Sequence, residues 1–445
     1  MLHKSKKDIL NGNIAEQILL FTISMCGSYL LQQLYQIADS VVLGRYASVE
    51  ALAAVGGSTT MVVNIMLNII TGIATGAMVV VAQNYGRGDV EKLRDSVKTG
   101  MFIAVTFGGA LSILGAICAK PLLTIMKCPE ETIHLSLIYM YSYLVGIIPY
   151  TVYMMGNYIL RATGDTKISL LFTIIIAITK IILDLILTAI LKLGVWGVSI
   201  STVVSYIVCG VVVLVILNNT TNAYQYSIKD FGYNSEILKN IYKIGVPVAI
   251  QSAVFAITNA YVSVRINEHG TKSIAAYTAY NNVDNFYWSF TNSIGAAIVT
   301  IAGQNYGNKN MKRVKETLKY GMLIHLGITV VVSAFCILAG KQTLHIFTTD
   351  QNVIDLAYEM LMVVAATYFT YIPVEMVSAT IKGCGDSMNS MIIAIIGICV
   401  VRTLYLTVFT FASAVEVTYC YPISWTITSL IYLGYYFINK KYRLS

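Results

Sequence analysis

Residues 82–86 read Ala82-Gln83-Asn84-Tyr85-Gly86, and residues 303–307 read Gly303-Gln304-Asn305-Tyr306-Gly307. Each run closes a long apolar stretch, and the step from Gln83 to Gln304 is 221 positions. The same step carries Lys92 and Arg94 onto Arg313 and Lys315, Gly100 onto Gly321, and Gly164-Asp165 onto Gly385-Asp386. A register held at about half the chain length marks a duplicated unit. In a membrane protein, two fused like units are the usual build of a secondary transporter.

The membrane class follows from composition. Hydrophobic residues make up 56% of the chain and charged residues only 12%, outside the range of ordinary soluble domains. A crossing helix needs roughly 20 mostly apolar residues. Twelve such segments are predicted at 14 to 43, 47 to 85, 92 to 119, 131 to 160, 167 to 191 and 195 to 218, then 236 to 266, 271 to 305, 313 to 339, 353 to 383, 388 to 412 and 415 to 440. The expected fold is therefore an all-α integral membrane protein, with twelve transmembrane helices in two pseudo-symmetric six-helix lobes. Residues 1–13 form the N-terminus, 14–218 the first lobe, 219–235 a polar linker, 236–440 the second lobe and 441–445 the tail. Gly72, Gly76 and Gly295 suggest close helix packing, and Pro149 and Pro373 are expected to interrupt the fourth and tenth segments.

The formal charge of +8 follows the membrane. Basic residues collect at the N-terminus (His3, Lys4, Lys6, Lys7), after even-numbered segments, Lys382 among them, and at the C-terminus (Lys440, Lys441, Arg443). Both termini are thereby expected in the cytoplasm, and nucleic acid is not needed as a partner. No cleavable signal peptide is expected. Six crossings return the chain to its starting side, so the repeats are parallel, and a cleft between lobes is the default binding site.

Ionisable residues inside apolar runs are costly, and each is a functional candidate. Asp39 ends a polar stripe in Gln32-Gln33-Leu34-Tyr35-Gln36-Ile37-Ala38-Asp39-Ser40. Lys180 and Asp184 lie one turn apart in the fifth segment and can pair. Asp284 stands among aromatics in the eighth, Glu375 follows Pro373 in the tenth, and Arg402 is in the eleventh. A carboxylate in low dielectric can load and release a proton, or hold sodium with neighbouring hydroxyls and amides. Neutralising it changes which packing of the lobes is preferred. The plainer alternative is a static Lys180–Asp184 ion pair and an Asp39 that caps a helix. Gln33, Tyr35, Asp284, Tyr280, Trp288, Met376 and Arg402 are assigned as substrate contacts, because aromatic and methionine side chains suit flat apolar cations.

Enzyme chemistry finds no footing. The five histidines are isolated, no HExxH, GxSxG or Walker-type loop is present, and the eight cysteines are scattered singly without a CxxC pair. No cofactor is expected, and the energy source must be an ion gradient or a partner protein.

Several runs carry a family resemblance over essentially the whole chain. They are Gln33-Leu34-Tyr35, Ala38-Asp39, Gly44-Arg45, Glu50-Ala51-Leu52-Ala53-Ala54-Val55, the two Gln-Asn-Tyr-Gly copies, Leu160-Arg161-Ala162-Thr163-Gly164-Asp165, and Asp184 followed by Gly194-Val195-Trp196-Gly197 and Thr202. In this order and spacing the chain resembles the multidrug and toxic compound extrusion (MATE) transporters. The resemblance implies a twelve-helix antiporter of the bacterial inner membrane, working as a monomer, that exports small organic, often cationic, compounds in exchange for protons or sodium. It places an ion site on Asp39, Lys180, Asp184 and Thr202; with Lys180 present, coupling is expected to shift to protons through Asp39 or to Glu375 in the other lobe. Where the family pattern has asparagine this chain has Lys180, whose ammonium would stand in for the sodium otherwise held by Asp39, Asp184 and Thr202. The rival expectation is a flippase for a lipid-linked precursor, which would want a basic cavity for a pyrophosphate head group.

Overall fold

The computed structural model describes residues 9–46, 54–55, 58–125, 128, 130–439 and 442. The basic clusters predicted at the two termini, and most of the Glu50–Val55 run, lie outside these residues. Within them the chain is helical and carries no strand. In hydrocarbon no water can pair a free peptide group, so helices that satisfy their own backbones are the available solution for single segments.

The first half comprises α1 (Ile14–Tyr46), α2 (Ser58–Arg87), α3 (Val90–Ile125), α4 (Glu130–Ala162), α5 (Thr166–Asp184) and α6 (Val195–Asn219). The second comprises α7 (Ser235–Asn267), α8 (Thr271–Gly307), α9 (Met311–Leu344), α10 (Gln351–Ala365), α11 (Ile372–Gly383), α12 (Ser387–Ala394), α13 (Val401–Val408), α14 (Ala414–Thr418) and α15 (Cys420–Ile438). Among the described residues nine helices are long and apolar enough to cross a membrane, or ten when α10 and α11 count as one span bent by 45°. Pro373 sits in the first turn of α11, where its missing N–H costs little, and the chain turns there through a tight turn at Tyr368–Tyr371. The expected matching interruption at Pro149 does not occur, since α4 runs on through it. The fifth and eleventh segments each contain one wide π-helical turn, Leu185–Ile190 and Ile395–Val400.

Repeat symmetry reaches down to backbone conformation. Gly88 and its counterpart Lys309 both take left-handed φ values, 74° and 57°, and Gly164 and Gly385 do so at 89° and 82°. Burial also repeats. The third helix of each half faces outward most, with 28% of the best apolar window of α3 and 17% of that of α9 buried, whereas α2 has 67% buried. Ile113, Ile117, Val331 and Leu338 are exposed on α3 and α9, as lipid-facing side chains are.

The chain forms two compact units, one of residues 27–249 and the other of the residues up to Cys26 together with those from Ile250 onward. In the first, Gly72 of α2 lies flush against the backbone of Ala249, and a Cβ at Gly76 would stand 2.5 Å from the Ile241 carbonyl oxygen. The segment after α6 packs on α3, where Asn234 donates to Asp95 at 2.7 Å and Phe231 and Tyr233 meet Phe102 with centroids 5.2 and 4.8 Å away. In the second unit, Arg313 reaches from the start of α9 to the carbonyls of Ile9 and Gly12 and to Asn305 of the second Gln-Asn-Tyr-Gly run. That arginine accounts for one of the repeated basic positions.

Candidate functional site

Two polar constructions stand out, one in each unit. In the first, Lys180 and Asp184 lie one turn apart on α5, Asp39 comes from the end of α1, and Ser201 and Thr202 come from α6. The Lys180 ammonium stands 3.0 Å from Asp39 Oδ2 and 3.2 Å from Asp184 Oδ2, and donates to Thr202 Oγ1 at 3.0 Å. An ammonium has three N–H donors and no more, so all of them are engaged. Thr202 passes its own proton to the Val198 carbonyl at 2.8 Å, leaving a lone pair for Lys180. Ser201, which sequence reasoning did not name, donates to the second oxygen of Asp184. Burial differs among the members: the side chains of Lys180 and Asp184 are 5% and 1% exposed, that of Asp39 20%. Asp39 Oδ1 is buried and has no partner among the described residues.

Sodium would need these same oxygens. A hard cation binds through several oxygen ligands at short range, and here Asp39, Asp184 and Thr202 already converge on Lys180 Nζ. Among the described residues no group of three or more His, Cys, Asp or Glu side chains is placed to hold a metal ion. The donor set does not suit sodium while Lys180 keeps this position. Aromatic hydroxyls adjoin the cluster's helices: Tyr143 of α4 meets Tyr206 of α6, hydroxyl to hydroxyl at 3.2 Å, and Tyr139 lies 6.0 Å from Tyr143. Gln33 and Tyr35 belong to this unit, half-buried on α1.

The second unit holds a cavity of about 640 Å³ lined by α7, α8, α11, α13 and α15, with Asp284, Trp288, Glu375, Lys382, Arg402 and Trp425 on its walls. Helix α8 explains its own low hydropathy here. Tyr277, Asn281, Asp284, Trp288 and Asn292 line the cavity at helical spacing, so the polar face of the helix is the one that meets the cavity. A periodicity count along α8 would have found this face.

Asp284 is 6% exposed and accepts from Trp288 Nε1 at 2.6 Å and from Tyr368 Oη at 2.5 Å. Tyr368 is stacked on Tyr287, centroids 3.7 Å apart, and Tyr287 donates to the Tyr368 carbonyl and meets His325 Nε2 at 3.5 Å. Trp288, Tyr371 and Trp425 form an aromatic box with centroid separations of 4.9, 5.5 and 5.9 Å. Glu375 accepts from Tyr371 at 3.4 Å, and its carboxylate lies where a side chain on Gly295 would begin. Arg402 donates to Asn259 at 2.7 Å and Ser424 at 3.3 Å, and its guanidinium lies 4.6 Å from the Tyr421 ring centroid.

Three expectations change on this geometry. Met376 is fully buried and packs toward Gly321 of α9; it is not a wall of the cavity. Tyr280, 1% exposed, is likewise packed behind the wall, beside Tyr277. Lys382, counted as a cytoplasmic loop base, lines the cavity. The signal was available, since the 221-residue step maps Arg161 onto Lys382 and Arg161 is itself buried.

Comparison with known proteins gives a consistent picture. The family model MatE matches the chain twice, over residues 24–186 and 246–408, two equal stretches offset by 222 positions. The multidrug resistance protein YoeA of Bacillus subtilis, its assignment marked probable, is 26% identical, and the match covers 96% of this chain and 94% of the relative. A FAD transporter of Shewanella oneidensis is 22% identical over 81% of this chain and 80% of its own length. A solved outward-facing multidrug resistance MATE family transporter of the MOP superfamily superposes with a TM-score of 0.91 at 21% identity, covering 99% of each chain.

Proposed function

Because the chain belongs to the MatE family of multidrug efflux transporters, we propose that it exports small organic compounds in exchange for protons, by alternating access of its two lobes. It is a multi-pass membrane transporter and not an enzyme; its place is the inner membrane with both termini cytoplasmic, as the positive-inside bias of the sequence favours.

One observation carries the choice of ion: Lys180 Nζ occupies the centre of the Asp39–Asp184–Thr202 set. Two carboxylates and one ammonium sum to a single negative charge in a nearly dry place. Such a charge is expensive to bury uncompensated, and the cluster is neutral once it holds one proton. Asp39 is the station for that proton, being the most exposed member and the one with an unpartnered oxygen. The proton reaches and leaves Asp39 while Lys180 and Asp184 stay paired behind it. Neutral and charged clusters favour different packings, and that difference couples the gradient to the lobes. The second-unit cavity receives the substrate, with its aromatic box for a flat ring system and Asp284 and Glu375 for positive charge.

A lipid-linked precursor flippase is the alternative. A pyrophosphate head group carries several negative charges, and the cavity offers it two bases, Lys382 and Arg402, beside two acids, Asp284 and Glu375, with no net positive charge to hold it. Proteoliposomes loaded with a fluorescent substrate and given proton or sodium gradients separately test the reading. Efflux driven by the proton gradient and indifferent to sodium is expected; sodium-driven efflux in the native chain, or lipid-precursor flipping without dye efflux, would overturn it.

A further inference from the structure

Arg402 is the counterpart of Lys180. Lys180 donates to Thr202 and Arg402 to Ser424, in each case 22 positions further along the chain, so the two cations hold comparable places in their halves, with Arg402 one position beyond the 221-residue step. Both are cations in the fifth helical segment of their half, and both are buried, at 4% exposure each. Their surroundings differ in one respect. Lys180 is met by two carboxylates, whereas among the described residues Arg402 forms no ion pair and touches the neutral groups Asn259, Ser424 and the Tyr421 ring.

A guanidinium has five N–H donors. Two of them are used here, and Nε is buried with no partner among the described residues. Arg313 divides its donors among Asn305 and the carbonyls of Ile9 and Gly12, and Arg265, whose Nε is likewise without a partner among the described residues, has the Glu268 carboxylate at 2.6 Å. The cavity that Arg402 lines carries two acids, Asp284 and Glu375, and two bases, Lys382 and Arg402. Its formal charges cancel, so it is not a trap for simple cations. The charged walls also differ in how far they are satisfied, since Asp284 holds two strong donors while Arg402 lacks an anion.

We propose that Arg402 is the anion-recognition point of this cavity and that the preferred substrates are aromatic zwitterions. The guanidinium takes a carboxylate, for which its planar fork is suited; the Trp288–Tyr371–Trp425 box takes the ring system, and the acids take the positive charge. This rests on the reading of the cavity as the substrate site.

The test uses the purified full-length chain and two dyes with the same ring system: rhodamine B, whose free carboxylate makes it a zwitterion, and its ethyl ester, a plain cation. Fluorescence anisotropy is expected to show the native chain binding rhodamine B about tenfold more tightly than the ester, roughly one charged pair's discrimination. In Arg402→Gln that ratio should fall to about one, and in Arg402→Lys it should lie between. A native ratio of one or less overturns the proposal, as does a ratio kept in Arg402→Gln. If Arg402→Gln binds neither dye, the native ratio and Arg402→Lys decide alone. Trp288→Ala tests the underlying reading separately. It should weaken both dyes; if both bind as in the native chain, the cavity is not the substrate site, whatever Arg402 does.

Discussion

Lys180 Nζ lies 3.0 Å from Asp39 Oδ2, joining the end of α1 to the middle of the fifth segment where the family pattern would set a small neutral amide. The contact makes the cluster a salt-bridged lock with one surplus carboxylate. Each consequence can be checked.

Replacing Lys180 by asparagine removes the ammonium and restores two carboxylates, an amide and a hydroxyl around one point. Lys180→Asn should gain sodium-driven efflux and lose at least tenfold in proton-driven efflux. If reconstituted Lys180→Asn ignores a sodium gradient, the ammonium is not what excludes sodium.

Asp39→Asn leaves Lys180 and Asp184 as a neutral pair with nothing further to titrate. The expected outcome is folded protein whose proton-driven efflux falls tenfold or more, while downhill dye exchange between equal proton activities survives. Asp184→Ala is the harsher change, since it strips the less exposed carboxylate from a buried ammonium, a loss of about 3–5 kcal/mol for a broken buried pair. Melting curves of the two variants in the same detergent should separate accordingly.

A methyl group at Gly295 would collide with the Glu375 carboxylate. Gly295→Ala should therefore displace Glu375 from Tyr371 or destabilise the unit by about 1–3 kcal/mol, as overpacking does. Gly295→Ala combined with Glu375→Ala should recover most of that stability. No recovery would mean that the two residues are not in contact.

Lys309 holds a left-handed φ of 57° where its repeat counterpart is Gly88 at 74°. A lysine there carries a steric cost that glycine does not, so Lys309→Gly should raise stability by roughly 1 kcal/mol and Gly88→Ala should lower it by a similar amount. Thermal unfolding of both variants measures the pair. Equal behaviour would show that the turns differ in some other way.

Much of the fold was legible because lipid imposes a simple rule on sequence. Among the described residues the expected apolar runs are helical, three of them broken into shorter pieces, and the repeat register survived into matching left-handed turns at Gly88 and Lys309. Helix α8, expected at 271 to 305 and found at Thr271–Gly307, carries polar residues along one face because that face lines a cavity and only the rest of its circumference must be apolar. The break between α10 and α11 was half visible, since Pro149 and Pro373 look alike in sequence; only Pro373 follows a tight turn, and a proline in a first helical turn disrupts nothing.

The site was legible residue by residue but not as an arrangement. Asp39, Lys180 and Asp184 announced themselves as charges in apolar surroundings. Ser201 could not, because a serine in a membrane helix satisfies itself by bonding its own backbone. Met376 and Tyr280 misled for the opposite reason, being large and polarisable but turned toward packing.

Sequence by itself determined that this chain spans a membrane, that it was built by duplication and where its buried charges lie. Apolar length, repeat register and charge are properties of the chain read in order. Only the tertiary structure decided that Asp39 joins the Lys180–Asp184 pair, that Arg402 has no ion pair among the described residues, and that Lys382 faces a cavity. Those facts depend on which helices meet, and in low dielectric a charge is costly unless folding brings an opposite charge or hydrogen-bonding groups to it.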